Sequence, residues 1–304
     1  MTLLQAIILG IVQGLTEFIP VSSTAHLVFA SRAVGLYDGV DAALRSQQTT
    51  ATIAVIQLGT LVAVLIYFSR DILNITTAFV GDHLALLTGK RPAGASGLGG
   101  RTALNGRLSH DALLGWLVII GSLPVAVVGL FFKKQIEGTF TKNLWVIATM
   151  MIVIAILLGL AELVGKRKRS MKDLGVFDAV VMGFAQCLAL IPGSSRSGST
   201  IMGGLFAGEM RETAARFSFL LSIPAVAASG LLELREAMHK LPPGSYGSLA
   251  IATVVSGLVG YGSIWFLLRY LRTHSTALFI AYRLIIGGTI LFALFKGYLA
   301  ATAS

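Results

Sequence analysis

Four uncharged stretches, residues 46–69, 112–132, 143–161 and 241–268, are each long enough to cross about 30 Å of hydrocarbon as a helix. Shorter runs at 217–232 and 284–295 could also span if flanked by polar ends. None shows the alternation of roughly ten residues that a membrane barrel strand requires. The expected fold is therefore an all-α integral membrane protein, with residues 1–304 forming one membrane domain. A composition of 55% hydrophobic and 12% charged residues, with a mean hydropathy of +0.81, excludes an ordinary soluble globular domain.

The formal charge of +10 raises the question of nucleic acid. Its sources are loops between apolar runs: Lys166, Arg167, Lys168, Arg169 and Lys172, with Lys90, Arg91, Arg101 and Arg107. That distribution is the basic bias of cytoplasmic loops, so no nucleic-acid partner is expected. Cys187 stands alone, which excludes an intramolecular disulfide and a cysteine-based zinc site. The first 30 residues lack a basic leader and Glu17 interrupts their apolar core, so they are expected to stay in the mature protein.

The chain resembles itself. Gly10 and Gln13 match Gly183 and Gln186, and Ile19-Pro20 and Ser22-Ser23 match Ile191-Pro192 and Ser194-Ser195 after a one-residue slip. An apolar segment follows each copy (50–69 and 213–232), then two more (111–132 and 144–163; 248–268 and 277–295). Repeat 1 is expected over about 1–165 and repeat 2 over about 176–300.

Each copy opens with two short apolar pieces around a Pro-Ser-Ser break, and neither piece is long enough to span. Broken backbone at membrane depth must be buried in protein or line a wet cavity. Residues 3–34 and 176–209 are thus expected to form two re-entrant helical hairpins, a reading with full spans staying open. With hairpins, each repeat has three crossings, giving about six transmembrane helices in an inverted-topology repeat with the two breaks meeting near the midplane. The basic loops then share one side, which puts both termini outside. Residues 81–110, rich in glycine, are expected to be a mobile cytoplasmic loop.

Gln13 and Glu17 lie four apart on one helix face. A carboxylate at this depth is a functional candidate and an acceptor for a metal, to which Gln13 could add an amide oxygen. Ser22, Ser23 and Thr24 follow Pro20 where a second helix begins; one of them serves as an N-cap, and three exceed that need. His26 lies just beyond. In the second break, Pro192 to Thr200, Arg196 sits among Ser194, Ser195, Ser197 and Thr200 at the start of a helix. Guanidinium, backbone N–H groups and helix terminus together suit a phosphate. Gly193 and Gly198 would let backbone approach the anion, and no P-loop pattern occurs. A carboxylate, hydroxyls and an imidazole facing an arginine cradle inside a bilayer predict phosphoryl transfer on a lipid-borne phosphate.

At these residues the chain resembles the bacterial undecaprenyl-diphosphate phosphatases of the BacA/UppP type. QGLTEFIPVSSTAH and PGSSRSGST match that family's two motifs, and AVIQLGT (54–60), FSFLLSIP (217–224) and AYR (281–283) look like further family segments. The resemblance implies hydrolysis of undecaprenyl diphosphate, a divalent cation (Mg or Ca), interlocked inverted repeats, and a site open to the periplasm of the bacterial inner membrane. It implies that Glu17 is a metal-binding or catalytic carboxylate, Ser23 a nucleophile candidate, His26 a base or alternative nucleophile, and Arg196 the diphosphate clamp. Gln13, Ser22, Thr24, Ser194, Ser195, Ser197 and Thr200 are expected to contact substrate. The partners expected are the isoprenyl diphosphate lipid and the bilayer, with a homodimer allowed. Gln13 stands where many members carry Glu, and Ile53 where some carry an acid, which removes anionic ligands and leaves the metal stoichiometry open. The alternative function is a carrier or flippase for an anionic isoprenyl lipid, with Glu17 and His26 as a proton relay.

Overall fold

The protein is described from a computed structural model, over residues 1–89, 108–132, 143–241 and 244–301. These residues form eleven α-helices, with one isolated β-bridge (Arg169 to Glu209) and no strand among them. In chain order they are α1 (Leu3–Phe18), α2 (Ser23–Ala33), α3 (Ala42–Tyr67), α4 (Ser69–Leu87), α5 (His110–Phe131), α6 (Leu144–Val164), α7 (Val176–Cys187), α8 (Arg196–Phe206), α9 (Arg211–Lys240), α10 (Tyr246–Leu271) and α11 (Ala277–Phe295).

Five of them, α3, α5, α6, α10 and α11, are long and apolar enough to cross a membrane. A further helix, α9, runs for 30 residues with Pro224 inside it and carries Arg211, Glu212 and Arg216 in its first turns. It starts six residues before the apolar run at 217–232, and the charges of that first stretch pair with other helix ends. Arg211 Nε donates to Glu162 (2.6 Å), Arg216 to Asp71 (2.7 Å), and Arg272 to Glu212 (2.8 Å). Thr276 Oγ1 also donates to Glu162 (2.8 Å). One end of the bundle is thus tied by ion pairs among α4, α6, α9 and the end of α10, and by a hydrogen bond from the start of α11. The opposite end is closed by main chain: Leu144 N donates to Ala301 O (2.8 Å), and Ser248 Oγ to Met1 O (3.0 Å).

One helix departs from expectation. Residues 81–87, expected in a loop, are the last turns of α4, and His110 at the other end of that expected loop opens α5; residues 90–107 between them lie outside the described residues. Polar residues (Asp71, Asn74, Asp82, His83) interleave with Ile72, Ile75 and Phe79, which keeps the hydropathy of α4 low and hides it from a search for spans. Phe79 and Ile75 pack on α5 at Gly115, Trp116 Nε1 donates to His83 Nε2 (3.0 Å), and Asp82 accepts from Ser109 N (2.6 Å).

The two copies of the short-helix pair are built alike. α1 and α2 surround one break; α7, a single 3-10 turn (Leu188–Leu190) and α8 surround the other. The far ends of each pair are tied together. Gln5 Nε2 donates to Val34 O (2.8 Å), and Arg169 donates both to Asp178 Oδ2 (2.7 Å) and to Ala207 O (3.4 Å).

Each opening helix packs against a long helix of the other half of the chain, α1 on α10 and α7 on α5. Glycine permits both crossings. A Cβ on Gly10 would lie 2.6 Å from Ala252 O, and one on Gly183 only 2.4 Å from Gly121 O. Such small-residue contacts let helix backbones meet where burial from water gives no drive.

Candidate active site

Pro20 and Pro192 end the first helix of each pair, since neither can continue a helical hydrogen-bond ladder. The next helix starts at a serine cap in both copies. Ser22 (φ 80°) accepts from Ala25 N at 3.5 Å, and Ser195 (φ 68°) accepts from Gly198 N at 3.2 Å. The left-handed backbone is costly for a residue with a Cβ. In the second break it is preceded by Gly193 (φ 93°), whose Cβ would strike Ile147 O at 2.2 Å.

The caps correct the sequence match. Ser22 corresponds to Ser195 (195 − 22 = 173), the same offset as Gly10 to Gly183, so the Ser-Ser pairs align one residue apart from the earlier register. The 3-10 turn before Ile191 and the extra residue at Gly193 cancel. In consequence Ser23 and Arg196 occupy equivalent positions, each the first residue of its helix. Two helix N-termini, with their unsatisfied N–H groups and positive dipole ends, belong to the one site.

Glu17 and Arg196 meet across the breaks, with Arg196 Nη1 3.5 Å from Glu17 Oε1. Their side chains are 10% and 25% exposed, so both are drawn in and both retain an accessible edge. Two amides flank the carboxylate: Gln13 Nε2 donates to Glu17 Oε2 (3.1 Å) and Gln57 Nε2 to Glu17 Oε1 (3.4 Å). Gln13 also reaches Thr60 Oγ1 (3.3 Å). Beside the pair lies a cavity open to solvent, lined among others by Gln13, Glu17, Ser23, Thr24, Gln57, Ser195 and Arg196.

The remaining candidates lie elsewhere. Ser22 is buried as a cap. Ser194 is buried and its hydroxyl has no partner. Ser197 Oγ pairs with Ser195 Oγ (3.2 Å), and the buried Thr200 Oγ1 donates back to Arg196 O (2.8 Å), which braces the first turn of α8. His26 is not among the residues lining the large cavity. Its Nδ1 is 2.7 Å from Ser22 O, a carbonyl that can only accept, so Nδ1 carries the hydrogen and Nε2 accepts from Tyr282 Oη (2.6 Å). The imidazole therefore braces the strained Ser22 backbone.

Tyr282 and Arg283 of α11 lie in the AYR segment that resembles the family, to which the sequence assigned no role of its own. Arg283 is fully buried and donates to Pro20 O (3.3 Å) in the first break and to Gly193 O (2.9 Å) and Ser194 O (3.1 Å) in the second. It also reaches Met151 O (3.1 Å). One guanidinium thus pins both breaks together, a task suited to its fixed fork of donors. An arginine inside an apolar segment was the available signal.

The family model described as "Bacitracin resistance protein BacA" matches residues 6–289, a span that takes in both breaks and Arg283. The chain belongs to the BacA family. The curated BacA relatives include an undecaprenyl-diphosphatase of Syntrophobacter fumaroxidans, 51% identical and covering 97% of this chain and 99% of its own length. One from Chloroherpeton thalassium is 45% identical, covering 99% of this chain and all of its own. One from Mycolicibacterium gilvum is also 45% identical, with the same coverage. As a BacA protein with five apolar spans of 19 to 26 residues, the chain is a multi-pass membrane protein.

Proposed function

We propose that this protein hydrolyses undecaprenyl diphosphate to undecaprenyl phosphate and inorganic phosphate, recycling the lipid carrier of cell-wall synthesis. The observation that carries this reading is the approach of Glu17 and Arg196, from breaks far apart in sequence, beside a cavity that also presents Ser23. The names of the relatives agree with it.

In this reading Arg196 grips the terminal phosphate, and the N-termini of α2 and α8 add positive potential where charge develops. Ser23 Oγ attacks the terminal phosphorus as its proton passes to the Glu17 carboxylate, which lines the same cavity. The bond to the bridging oxygen breaks, that oxygen leaves on undecaprenyl phosphate, and water then cleaves the phosphoserine, giving its hydroxyl to the released phosphate while a proton returns to Ser23 Oγ. We assign the attack to Ser23 over His26 because Ser23 lines the cavity while both His26 ring nitrogens are engaged. Trapping a phosphorylated Ser23 checks this; phosphohistidine, or no phosphoenzyme, overturns it.

The donor set fits a hard divalent cation such as Mg or Ca. Glu17 supplies one carboxylate, to which Gln13 and Gln57 turn their amide N–H groups, and no group of three acidic, His or Cys side chains occurs among the described residues. One carboxylate plus substrate oxygens is a usual way to hold Mg. Such an ion would neutralise charge on the diphosphate.

The two helix pairs are read as re-entrant hairpins of an inverted repeat. Supporting this, the far ends of each pair are tied together while the breaks meet, and of the four helices that separate the pairs in sequence three, α3, α5 and α6, are long and apolar enough to cross a membrane. The end rich in Lys166, Lys168, Lys172 and Arg269 is read as cytoplasmic, with both termini and the mouth of the cavity towards the periplasm.

The test is phosphate release by the purified protein from undecaprenyl diphosphate in detergent, with and without chelator. Release abolished by Glu17→Ala and by Arg196→Ala, with unchanged thermal unfolding, supports the reading. Lipid transfer across liposomes without release would replace it by a carrier.

A further inference from the structure

A second, smaller cavity adjoins the Glu17–Arg196 pair between α1, α3, α8 and α9. It has room for about one water molecule. Its lining shares Glu17 and Arg196 with the polar cavity and no other residue, so the pair stands between the two spaces. On α9 it is lined by Ser218, Ser222 and Val226, which follow at four-residue steps and so share one face. Both serines belong to FSFLLSIP (217–224), a segment none of whose residues lines the polar cavity.

The hydroxyls around this space are committed to different degrees. Thr60 Oγ1 is used twice, donating to Gln57 O (2.7 Å) and accepting from Gln13 Nε2 (3.3 Å). Ser197 Oγ pairs with Ser195 Oγ (3.2 Å). Ser222 Oγ donates to Phe219 O (2.7 Å), so its lone pairs alone stay available. Ser218 is 2% exposed, and its hydroxyl makes no hydrogen bond among the described residues. A buried hydroxyl without a protein partner is ordinarily met by an internal water, which itself needs a few polar contacts. Ser218 Oγ, the Ser222 lone pairs, the Glu17 carboxylate and the Arg196 N–H groups supply them around a space of the right size. Phe18 and Phe219, packed edge-on with 5.3 Å between centroids, stiffen the wall that sets that size.

We infer that Ser218 and Ser222 are positioning residues that hold the hydrolytic water against Glu17, on the flank of the site that Ser23 does not line. The inference rests on the hydrolase reading and on attack by Ser23. Ser23 lines the polar cavity only, and displacement of its oxygen from phosphorus requires water to arrive from the opposite face. The water oxygen bonds to phosphorus as the bond from phosphorus to Ser23 Oγ breaks. Its proton passes to one Glu17 oxygen while the other gives Ser23 Oγ the proton taken in the first step. The proton left on Glu17 is the one that hydrolysis of the anhydride releases, and it passes to solvent through the open cavity. Enclosure behind the pair also keeps this water in place while lipid fills the polar cavity.

The test compares the full-length wild type with Ser218→Val, which takes up the space and removes the hydroxyl, and with Ser218→Ala, which leaves the space and removes the hydroxyl. The substrate is farnesyl diphosphate radiolabelled in its terminal phosphate, in detergent. Slowing only the second step should lower kcat of Ser218→Val by about tenfold or more. The ratio kcat/KM should stay near that of the wild type, because it reports the steps up to the first bond cleavage, and the acid-quenched fraction of phosphoprotein should rise. Ser218→Ala should show the same pattern at smaller size. An unchanged kcat in both variants, or a fall in kcat/KM equal to that in kcat without a rise in phosphoprotein, overturns the inference. A readout without turnover is thermal unfolding. Expelling a water bound to Glu17 should make Ser218→Val less stable than the wild type, whereas a dry space would be filled by the added methyl groups, so a higher unfolding temperature also overturns it. Phosphate release by the wild type scores the hydrolase reading separately.

Discussion

Ser22 and Ser195, 173 residues apart, hold the same left-handed backbone and cap the same turn of equivalent helices. Each thus combines a favourable cap with an unfavourable φ, and the two effects can be separated by substitution. Alanine keeps the strain and loses the cap; glycine loses the cap and relieves the strain. At both positions the alanine variant should be less stable than the glycine variant by about 1 kcal/mol or more. Thermal unfolding of the four variants in detergent checks the order, and equal stabilities would show that the strain is not present.

Arg283 acts on the site through main-chain carbonyls. Arg283→Lys keeps the charge but cannot reach Pro20 O and Gly193 O together. Because misplacement of reacting groups by about 1 Å can cost on the order of 10²-fold, phosphate release should fall by that order in kcat. A KM near that of the wild type would mark the loss as one of positioning. Arg283→Ala should also lower the unfolding temperature, since it orphans several buried carbonyls.

Gln13 stands four residues before Glu17 and now donates to it. Gln13→Glu places a second carboxylate there, so divalent cations should bind more tightly, with the midpoint of a Mg or Ca titration moving to lower concentration. Calorimetric titration of the apo-protein reads this without turnover. The same variant brings two like charges together and should be less stable when cation is withheld.

Glu209, in the turn between α8 and α9, is fully buried and neither carboxylate oxygen has a hydrogen-bond partner. Burial, reinforced by Asp178 and opposed by Arg169, pushes its pKa up to about 8. The folded protein therefore keeps a proton that the unfolded chain releases in the ordinary carboxylate range. Below that range both states are protonated and the group has no effect. Between it and pH 8, stability falls as pH rises, by up to about 1.4 kcal/mol per unit. Glu209→Gln should remove this slope, so the unfolding temperatures of wild type and variant should diverge from pH 5 to pH 8. Parallel curves would refute the assignment.

What the sequence displayed was chiefly what composition and spacing control. Apolar runs located α3, α5, α6, α10 and α11, and the paired Pro-Ser-Ser breaks located the residues that line the cavity, because proline and capping chemistry act locally. α4 escaped because its apolar face is only one stripe of a polar helix. Ser22 and Ser195 were misaligned by one because a 3-10 turn and an added Gly193 leave the same letters in a shifted frame. Arg283 lay in plain view within an apolar segment, yet its partners are carbonyls, and carbonyls have no letter in the sequence. His26, next to hydroxyls in the chain, turns instead to Tyr282, 256 residues away.

The clamp by Arg283 also makes the first break dependent on a distant part of the chain. Pro20 and Arg283 stand 263 positions apart, so the Pro20 carbonyl meets this donor only once α11 has been made and packed. A chain stalled before α11 carries every cavity-lining residue named above and lacks the guanidinium that pins the two breaks together.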